Sequence, residues 1–229
     1  MAGLFALAGV FVAGAFAMRL LRQFHERRRP HALAWGGSLL LYAVGMAALT
    51  AGLWLGWSSP AYAVYWFTGA LVTVPLLAVG ELHLLAPTYS RWWWAVASAV
   101  MMVAVAAVVV SRFDAAALSS ATADGGIPLG ADVLAGQPAY AALQPLTLTG
   151  TVIVVVGTVW SAVRRRRPAV LLIALGVVIA ASSSAFVRND LDALVPVALT
   201  SGVAIMYAGF RATVANRGPL SARAGTHPT

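Results

Sequence analysis

The amino-acid sequence predicts an all-α polytopic membrane protein with seven transmembrane helices, the N-terminus outside and the C-terminus inside. Hydrophobic residues make up 61% of its 229 residues and charged residues only 10%, whereas a soluble domain carries roughly 25% charged residues. Seven apolar runs follow one another, and arginines collect in alternate connections between them. These observations indicate a single helical bundle whose main solvent is lipid.

Each apolar run is long enough to cross the hydrocarbon core of a bilayer, which takes about 20 mostly apolar residues. Backbone N–H and C=O groups find no water in lipid, so each run must be a helix that satisfies them internally. In the first run the arginines follow the apolar residues, which predicts a retained helix and not a cleaved signal peptide. The predicted spans cover residues 2–21, 32–57, 61–85, 92–110, 143–163, 169–187 and 191–212.

Arginine placement predicts the orientation. The chain has no lysine, and all but Arg112 and Arg188 of its 15 basic residues fall on one predicted side. Because arginine-rich connections stay in the cytoplasm, we expect a multi-pass protein of the bacterial cytoplasmic (inner) membrane. The clusters predict contact with anionic headgroups of the lipid bilayer, and they exclude nucleic acid, which needs a continuous basic face. The topology determinants are Arg27, Arg28, Arg29, Arg164, Arg165, Arg166 and Arg167.

Aromatic residues gather near both predicted membrane surfaces. Trp57, Tyr62 and Trp66 surround the short outer turn, and Tyr89 and Trp92 mark the inner side. Trp and Tyr favour the depth of the lipid headgroups. We therefore expect both groups to lie at the membrane–water interfaces.

Two segments fall outside the predicted spans. Residues 112–142 form a long extracytoplasmic loop, rich in small residues, with a short surface helix expected over 131–142. A flexible loop is the expected structure, and a lid over an outward-facing cavity is the alternative, since long loops are often functional. Residues 215–229 are polar and predict a disordered cytoplasmic tail.

Small residues at a spacing of four predict close helix packing. Gly52 and Gly56 form a GxxxG pattern in the second span, and Gly176 and Ala180 repeat the spacing in the sixth. Such faces let two helices approach closely. We expect packing inside the bundle, with a homodimer or another membrane protein as the alternative use of the Gly52 face.

Glu81 and His83 are the most conspicuous polar residues, in the stretch "VPLLAVGELHLLAP" of the third span. At 1.5 Å per residue, Glu81 lies about 30 Å along this helix, at the inner edge of the hydrocarbon. A charge costs little there, so we interpret both as interfacial groups, or as groups paired locally with an arginine. Residues two apart point to different faces of a helix, which disfavours a joint site.

Cofactor chemistry is narrowly limited by composition. The absence of cysteine excludes thiolate metal sites and iron–sulfur clusters, and the absence of lysine excludes a retinal Schiff base. Bis-histidine haem needs two facing membrane histidines, and only His83 lies in a span. His25, His31, His83 and Glu81 share the inner side and are the alternative for a divalent metal, but no ligand spacing supports it. No cofactor or metal is predicted.

Hydroxyl groups inside the spans have two interpretations. Thr68 lies in the third span near Pro75, and Ser182, Ser183 and Ser184 lie in the sixth. Hydroxyls in membrane helices commonly bond a carbonyl one turn back. The alternative is a polar cavity between the third, sixth and seventh helices, where Pro75 frees a backbone carbonyl.

The stretches "RRRPHALAW", "YAVYWFTGALVTVPLLAVG" and "VWSAVRRRRP" resemble those of a family of uncharacterised multi-spanning, seven-helix membrane proteins from high-GC actinobacteria. The resemblance covers most of the membrane region. It implies the seven-helix fold and the membrane location. It implies no activity, so no site residue is carried over from it.

The first functional hypothesis is a non-enzymatic integral membrane protein, an accessory or sensor-like bundle. The chain shows no nucleophile beside a base and no Gly-rich phosphate loop. One alternative is a small-solute or lipid transporter whose path uses Thr68, Pro75, Glu81 and the serines 182–184. Another is a membrane-embedded enzyme that acts on lipid through Glu81 and His83.

Overall fold

The computed structural model describes residues 1–166, 168–189 and 191–215, and within these ranges there are helices and turns but no β-strand. Seven helices are long and apolar enough to cross a membrane, which confirms the predicted all-α, multi-pass fold. The predicted tail after Ala215 and the topology residue Arg167 lie outside the described residues. We number the helices span 1 to span 7: Ala2–Arg27, Pro30–Leu55, Ser59–Leu85, Ser90–Val110, Pro138–Arg165, Leu171–Arg188 and Leu194–Ala215.

Local chemistry explains where the spans begin and end. Pro30 and Pro138 each occupy the first turn of a helix, where the missing N–H of proline removes no hydrogen bond. At the start of span 3 the Ser58 hydroxyl accepts a hydrogen bond from Ala61 N at 3.4 Å. Span 1 extends to Arg27, well beyond its apolar run, because Arg, Gln and Glu are good helix formers outside the hydrocarbon as well.

Six of the spans form a closed ring, and span 4 lies outside it. Neighbour contacts run in the order 1, 2, 3, 5, 6, 7 and back to 1, with span 4 packed against spans 3 and 5. Hydrogen bonds cross between spans: Tyr42 Oη donates to Leu199 O at 2.9 Å, and Thr200 Oγ1 donates to Phe5 O at 2.7 Å. Apolar side chains of all six ring spans fill the interior.

The short connections make successive spans antiparallel, so the arginine clusters share one end of the bundle. We call this end, with the turns after spans 1, 3 and 5, the arginine face. The opposite end carries the connection between spans 4 and 5, and we call it the cap face.

The connection between spans 4 and 5 differs from the flexible loop that we expected. It contains the helices Ala115–Ala123 and Gly130–Val133, and span 5 already begins at Pro138, so the helix predicted over 131–142 is divided between two elements. Asp114 Oδ1 accepts hydrogen bonds from the N–H groups of residues 116 and 117, which starts the first helix. Buried Leu118 and Leu134 hold the segment on the bundle. We call residues 112–137 the cap.

The Gly52–Gly56 pattern does not form the predicted packing face. Gly56 lies after the end of span 2 with φ +89°, a conformation that favours glycine. A Cβ on Gly52 would stand 2.6 Å from the ring of Trp57, so both glycines shape one tight turn. A very close approach of two helices occurs between spans 6 and 7, where a Cβ on Gly202 would lie 2.6 Å from Gly176 O.

Candidate functional site

Glu81 and His83 are buried inside the protein, which the interpretation as groups near the water did not predict. Their exposed fractions are 1% and 4%. Span 3 is the most enclosed of the seven helices, with spans 2, 4 and 5 around it. The sequence gives the position of a residue along its helix, but it does not show whether neighbouring helices bury that residue.

Glu81 faces span 5, where the absence of a side chain makes room for it. A Cβ on Gly157 would lie 2.5 Å from Glu81 Cγ and 2.9 Å from its Oε1. One turn further along span 5, Ser161 Oγ donates to Glu81 Oε1 at 3.5 Å. The Gly157 and Ser161 pair, spaced as in a small-residue packing motif, thus forms a recess for the carboxylate.

His83 faces span 4 and makes one backbone hydrogen bond. Its Nδ1 lies 2.8 Å from Val79 O, and because a carbonyl can only accept, the proton is on Nδ1. The ring packs against Trp94 with centroids 5.0 Å apart. The other ring nitrogen, Nε2, is buried without a hydrogen-bond partner in the part of the chain that the structure describes.

The two residues therefore do not share one reaction site. Glu81 meets span 5 and His83 meets span 4, as the spacing of two along a helix predicted. The alternative metal ligands also stay apart: His25 is exposed, and His31 packs edge-on against Trp35. Among the described residues, no three His, Asp or Glu side chains come close enough to hold a metal ion.

The middle of span 3 is a π-helix, Trp66–Val72, between the α-helical segments Ser59–Tyr65 and Thr73–Leu85. Thr73 Oγ1 donates to Thr68 O at 2.5 Å, and Ser38 Oγ of span 2 donates to Thr73 O at 2.6 Å. Such wide turns are rare and are frequently found at functional sites.

Pro75 explains one of the bonds in this segment. Proline has no N–H for a carbonyl four or five residues earlier, and the carbonyl of Ala70 is bonded instead by Thr147 Oγ1 of span 5, at 3.0 Å. The sequence pointed to Thr68 and Pro75 but not to Ser38 or Thr147. A proline in mid-span predicts that some neighbouring donor exists, but the neighbour is decided by packing.

Thr68 and the serines of span 6, the predicted lining of a polar cavity, lie in different parts of the ring within the described ranges. Thr68 Oγ1 donates to Val64 O within its own helix, and Ser182 and Ser184 donate to carbonyls three residues earlier in span 6. Span 3 packs on spans 2, 4 and 5, so Ser183 and its neighbours belong to another part of the ring. These hydroxyls satisfy their own helices.

The outer aromatic residues form an anchor for the cap, which the sequence did not indicate. Trp57 and Trp66 are 7% exposed and Tyr62 is fully buried, so these three do not belong to the predicted headgroup belt. Their polar atoms donate to cap and span 5 carbonyls: Trp57 Nε1 to Gly126 O at 3.0 Å, Tyr62 Oη to Pro128 O at 3.2 Å and Trp66 Nε1 to Ala139 O at 3.1 Å. The inner residue Trp92 stays exposed, as expected of a belt.

Two further bonds attach the cap to the bundle. Trp57 N donates to Thr122 Oγ1 at 2.8 Å, and Ile127 N donates to Asp192 Oδ2 at 2.9 Å. Asp192 thus links the cap to the beginning of span 7. The cap is tied by hydrogen bonds to three different regions of the bundle.

Comparison of the chain with protein-family models, with curated proteins and with solved structures gave no match. The resemblance to actinobacterial membrane proteins stays a prediction.

Proposed function

We propose that this protein is a non-enzymatic, sensor-like accessory bundle of a bacterial cytoplasmic membrane, in which span 3 connects the cap to the arginine face. One observation carries the proposal. Tyr62 and Trp66, in the half of span 3 next to the cap, hold the cap and its junction with span 5, and the buried Glu81 and His83 lie near the other end. A displacement of the cap would therefore act on the helix that carries both ionisable residues.

The π-helix in the middle of span 3 supplies a means of response. A change of one residue between π and α register rotates one half of a helix by roughly 100° relative to the other, at 3.6 residues per turn. Such a rotation would give Glu81 and His83 new neighbours on spans 4 and 5. A membrane-protein partner or a second copy of the chain would then detect the altered surface.

The alternatives have less support from the geometry. A transporter needs polar groups that converge on a path, whereas Thr68, Ser182 and Ser184 bond carbonyls of their own helices. A lipid-acting enzyme through Glu81 and His83 needs the two side chains at one reacting group, and they face different spans.

The test removes one bond between the cap and the bundle. In the full chain in mild detergent, Thr122→Val keeps the side-chain shape but removes the oxygen that accepts from Trp57 N. Because hydrogen exchange reports local opening, we expect faster amide exchange in the cap and also at residues 79–85, near the arginine face. Mass spectrometry of peptides from both regions measures the two rates.

Ser119→Ala is the matched control. The Ser119 hydroxyl donates to Ala116 O of its own short helix, at 2.8 Å, so its loss should leave exchange at residues 79–85 unchanged. If Thr122→Val accelerates exchange in the cap alone, the two ends of span 3 are not coupled and the sensor proposal is rejected.

A further inference from the structure

Two turns at the arginine face share an unusual backbone conformation. Arg28, after the last residue of span 1, has φ 49° and ψ 36°, and Arg166, after the last residue of span 5, has φ 48° and ψ 46°. Within the ranges that the structure describes, they are the only non-glycine residues with positive φ. In both turns a proline begins the following helix, Pro30 or Pro168.

The backbone alone does not explain an arginine at these positions. A helix that ends in the left-handed conformation strongly favours glycine, which adopts it without a steric cost. The bonds that end the helices, Arg28 N to Phe24 O at 2.7 Å and Arg166 N to Val163 O at 3.3 Å, use only the N–H group that glycine also has. The backbone therefore gives no reason for arginine in place of glycine, and the reason must lie in the arginine side chain. Backbone strain of this kind clusters at functional positions.

The charges at these two turns have no carboxylate partner within the described ranges. Arg22 is paired with Glu26 at 3.0 Å, but in the described part of the chain neither Arg28 nor Arg166 has a carboxylate at salt-bridge distance. Both side chains are exposed. The Arg28 guanidinium stands over the ring of Phe24, 5.8 Å from its centroid.

Apolar surface suitable for acyl chains adjoins the second turn. Trp160 and Val163 of span 5 are 58% and 74% exposed, and Leu171 at the start of span 6 is 43% exposed. These side chains lie within two helical turns of Arg166 along the chain, and their exposed apolar surface suits contact with lipid tails. The site therefore offers a cation at headgroup depth above a lipid-facing helix pair.

We propose that Arg28 and Arg166 each bind the phosphate group of an anionic phospholipid headgroup. A guanidinium donates two parallel hydrogen bonds to phosphate oxygens, which a point charge cannot do. The negative net charge of the lipid compensates the unpaired arginines. This binding does not depend on the sensor role of span 3.

The experiment uses the full chain in neutral detergent micelles with added phosphatidylglycerol, phosphatidylcholine or inorganic phosphate, and follows the thermal midpoint by tryptophan fluorescence. We expect phosphatidylglycerol alone to raise the midpoint of the natural chain. Arg28→Gly and Arg166→Gly should be at least as stable as the natural chain without anionic lipid, because glycine relieves the backbone. Each should weaken the apparent affinity for phosphatidylglycerol roughly tenfold, the effect of losing one charge-assisted hydrogen bond to phosphate.

Arg27→Ala is the matched control, since it removes one neighbouring charge from the helix end without changing the turn, and it should keep most of the phosphatidylglycerol effect. An equal loss in Arg27→Ala would mean general charge attraction and would overturn the assignment. So would an unchanged lipid effect in the double glycine variant, an equal response to inorganic phosphate, or glycine variants that are less stable without lipid.

Discussion

Glu81 and His83 stand two positions apart, and each depends on a neighbour that the linear sequence does not identify. The carboxylate of Glu81 occupies a recess over Gly157, beside the Ser161 hydroxyl. The imidazole of His83 donates to Val79 O and packs on Trp94. Burial of ionisable groups in a membrane bundle is costly and marks functional candidates, which is why both belong to the proposed response.

At the scale of single residues, Gly157→Ala is expected to destabilise the protein by about 1–3 kcal/mol, the usual cost of overpacking. The added methyl group would lie 2.5 Å from Glu81 Cγ, so the carboxylate side chain must shift. Thermal or denaturant unfolding in detergent, followed by tryptophan fluorescence, measures the free energy.

The control is Gly37→Ala in span 2, where an added Cβ meets no atom within 4 Å and the better helix propensity of alanine should leave stability unchanged or higher. In a Glu81→Ala background the cost of Gly157→Ala should shrink, because the two residues are in contact. Equal stability of Gly157→Ala and Gly37→Ala would contradict the recess.

At the scale of elements, span 3 is an α-helix interrupted by the π-helix Trp66–Val72. Its irregular backbone is bonded by side chains from two neighbours, Ser38 of span 2 and Thr147 of span 5. In lipid no water is available to donate a hydrogen bond to an unsatisfied carbonyl. The hydrogen bonds from Ser38 and Thr147 therefore stabilise this irregular segment inside the membrane.

Thr147→Val should consequently destabilise the protein by about 0.5–1.5 kcal/mol, the net contribution of one intramolecular hydrogen bond, because the bond to the Ala70 carbonyl is lost. Unfolding in detergent measures this loss as well. Thr149→Val changes an exposed threonine of the same helix and should have no measurable cost.

The same Thr147→Val substitution in a Pro75→Ala protein tests whether the hydroxyl replaces the missing N–H of proline. Pro75→Ala restores an N–H five residues after Ala70, which can bond the Ala70 carbonyl in a π turn. The cost of Thr147→Val should therefore fall in the Pro75→Ala protein. If Thr147→Val and Thr149→Val were equally stable, the hydroxyl would not support the π-helix.

At the scale of the whole molecule, the two ends of the bundle are chemically different. The arginine face carries the clusters around Arg28 and Arg166, and the cap face carries the folded segment 112–137. Because arginine-rich connections remain in the cytoplasm, we expect the cap to lie outside.

Cysteine labelling in whole cells tests this orientation, since the chain has no native cysteine. Ser120→Cys in the cap and Thr88→Cys in the turn after span 3 are both exposed positions. A membrane-impermeant maleimide should label the first in intact cells and the second only after permeabilisation. Labelling of Thr88→Cys in intact cells would reverse the topology.

The sequence by itself determined the surrounding medium and the path of the chain, because seven apolar runs of sufficient length can only be helices in lipid. Most ends of the predicted spans agree with the ends of the helices to within a few residues. The two larger differences are the end of span 1, whose helix continues to Arg27, and the start of span 5, whose helix begins at Pro138. In both cases the helix extends beyond the apolar run that hydropathy detects. These features depend on local composition, which a linear sequence contains in full.

Only the tertiary structure decided which side chains meet. It enclosed Glu81 and His83 by placing three spans around span 3, and it folded the cap on the aromatic residues of spans 2 and 3. It also kept the serines of span 6 apart from Thr68. Such contacts join residues far apart in the chain, and in a membrane, where every span is apolar, periodicity alone does not distinguish a lipid-facing side from a protein-facing one.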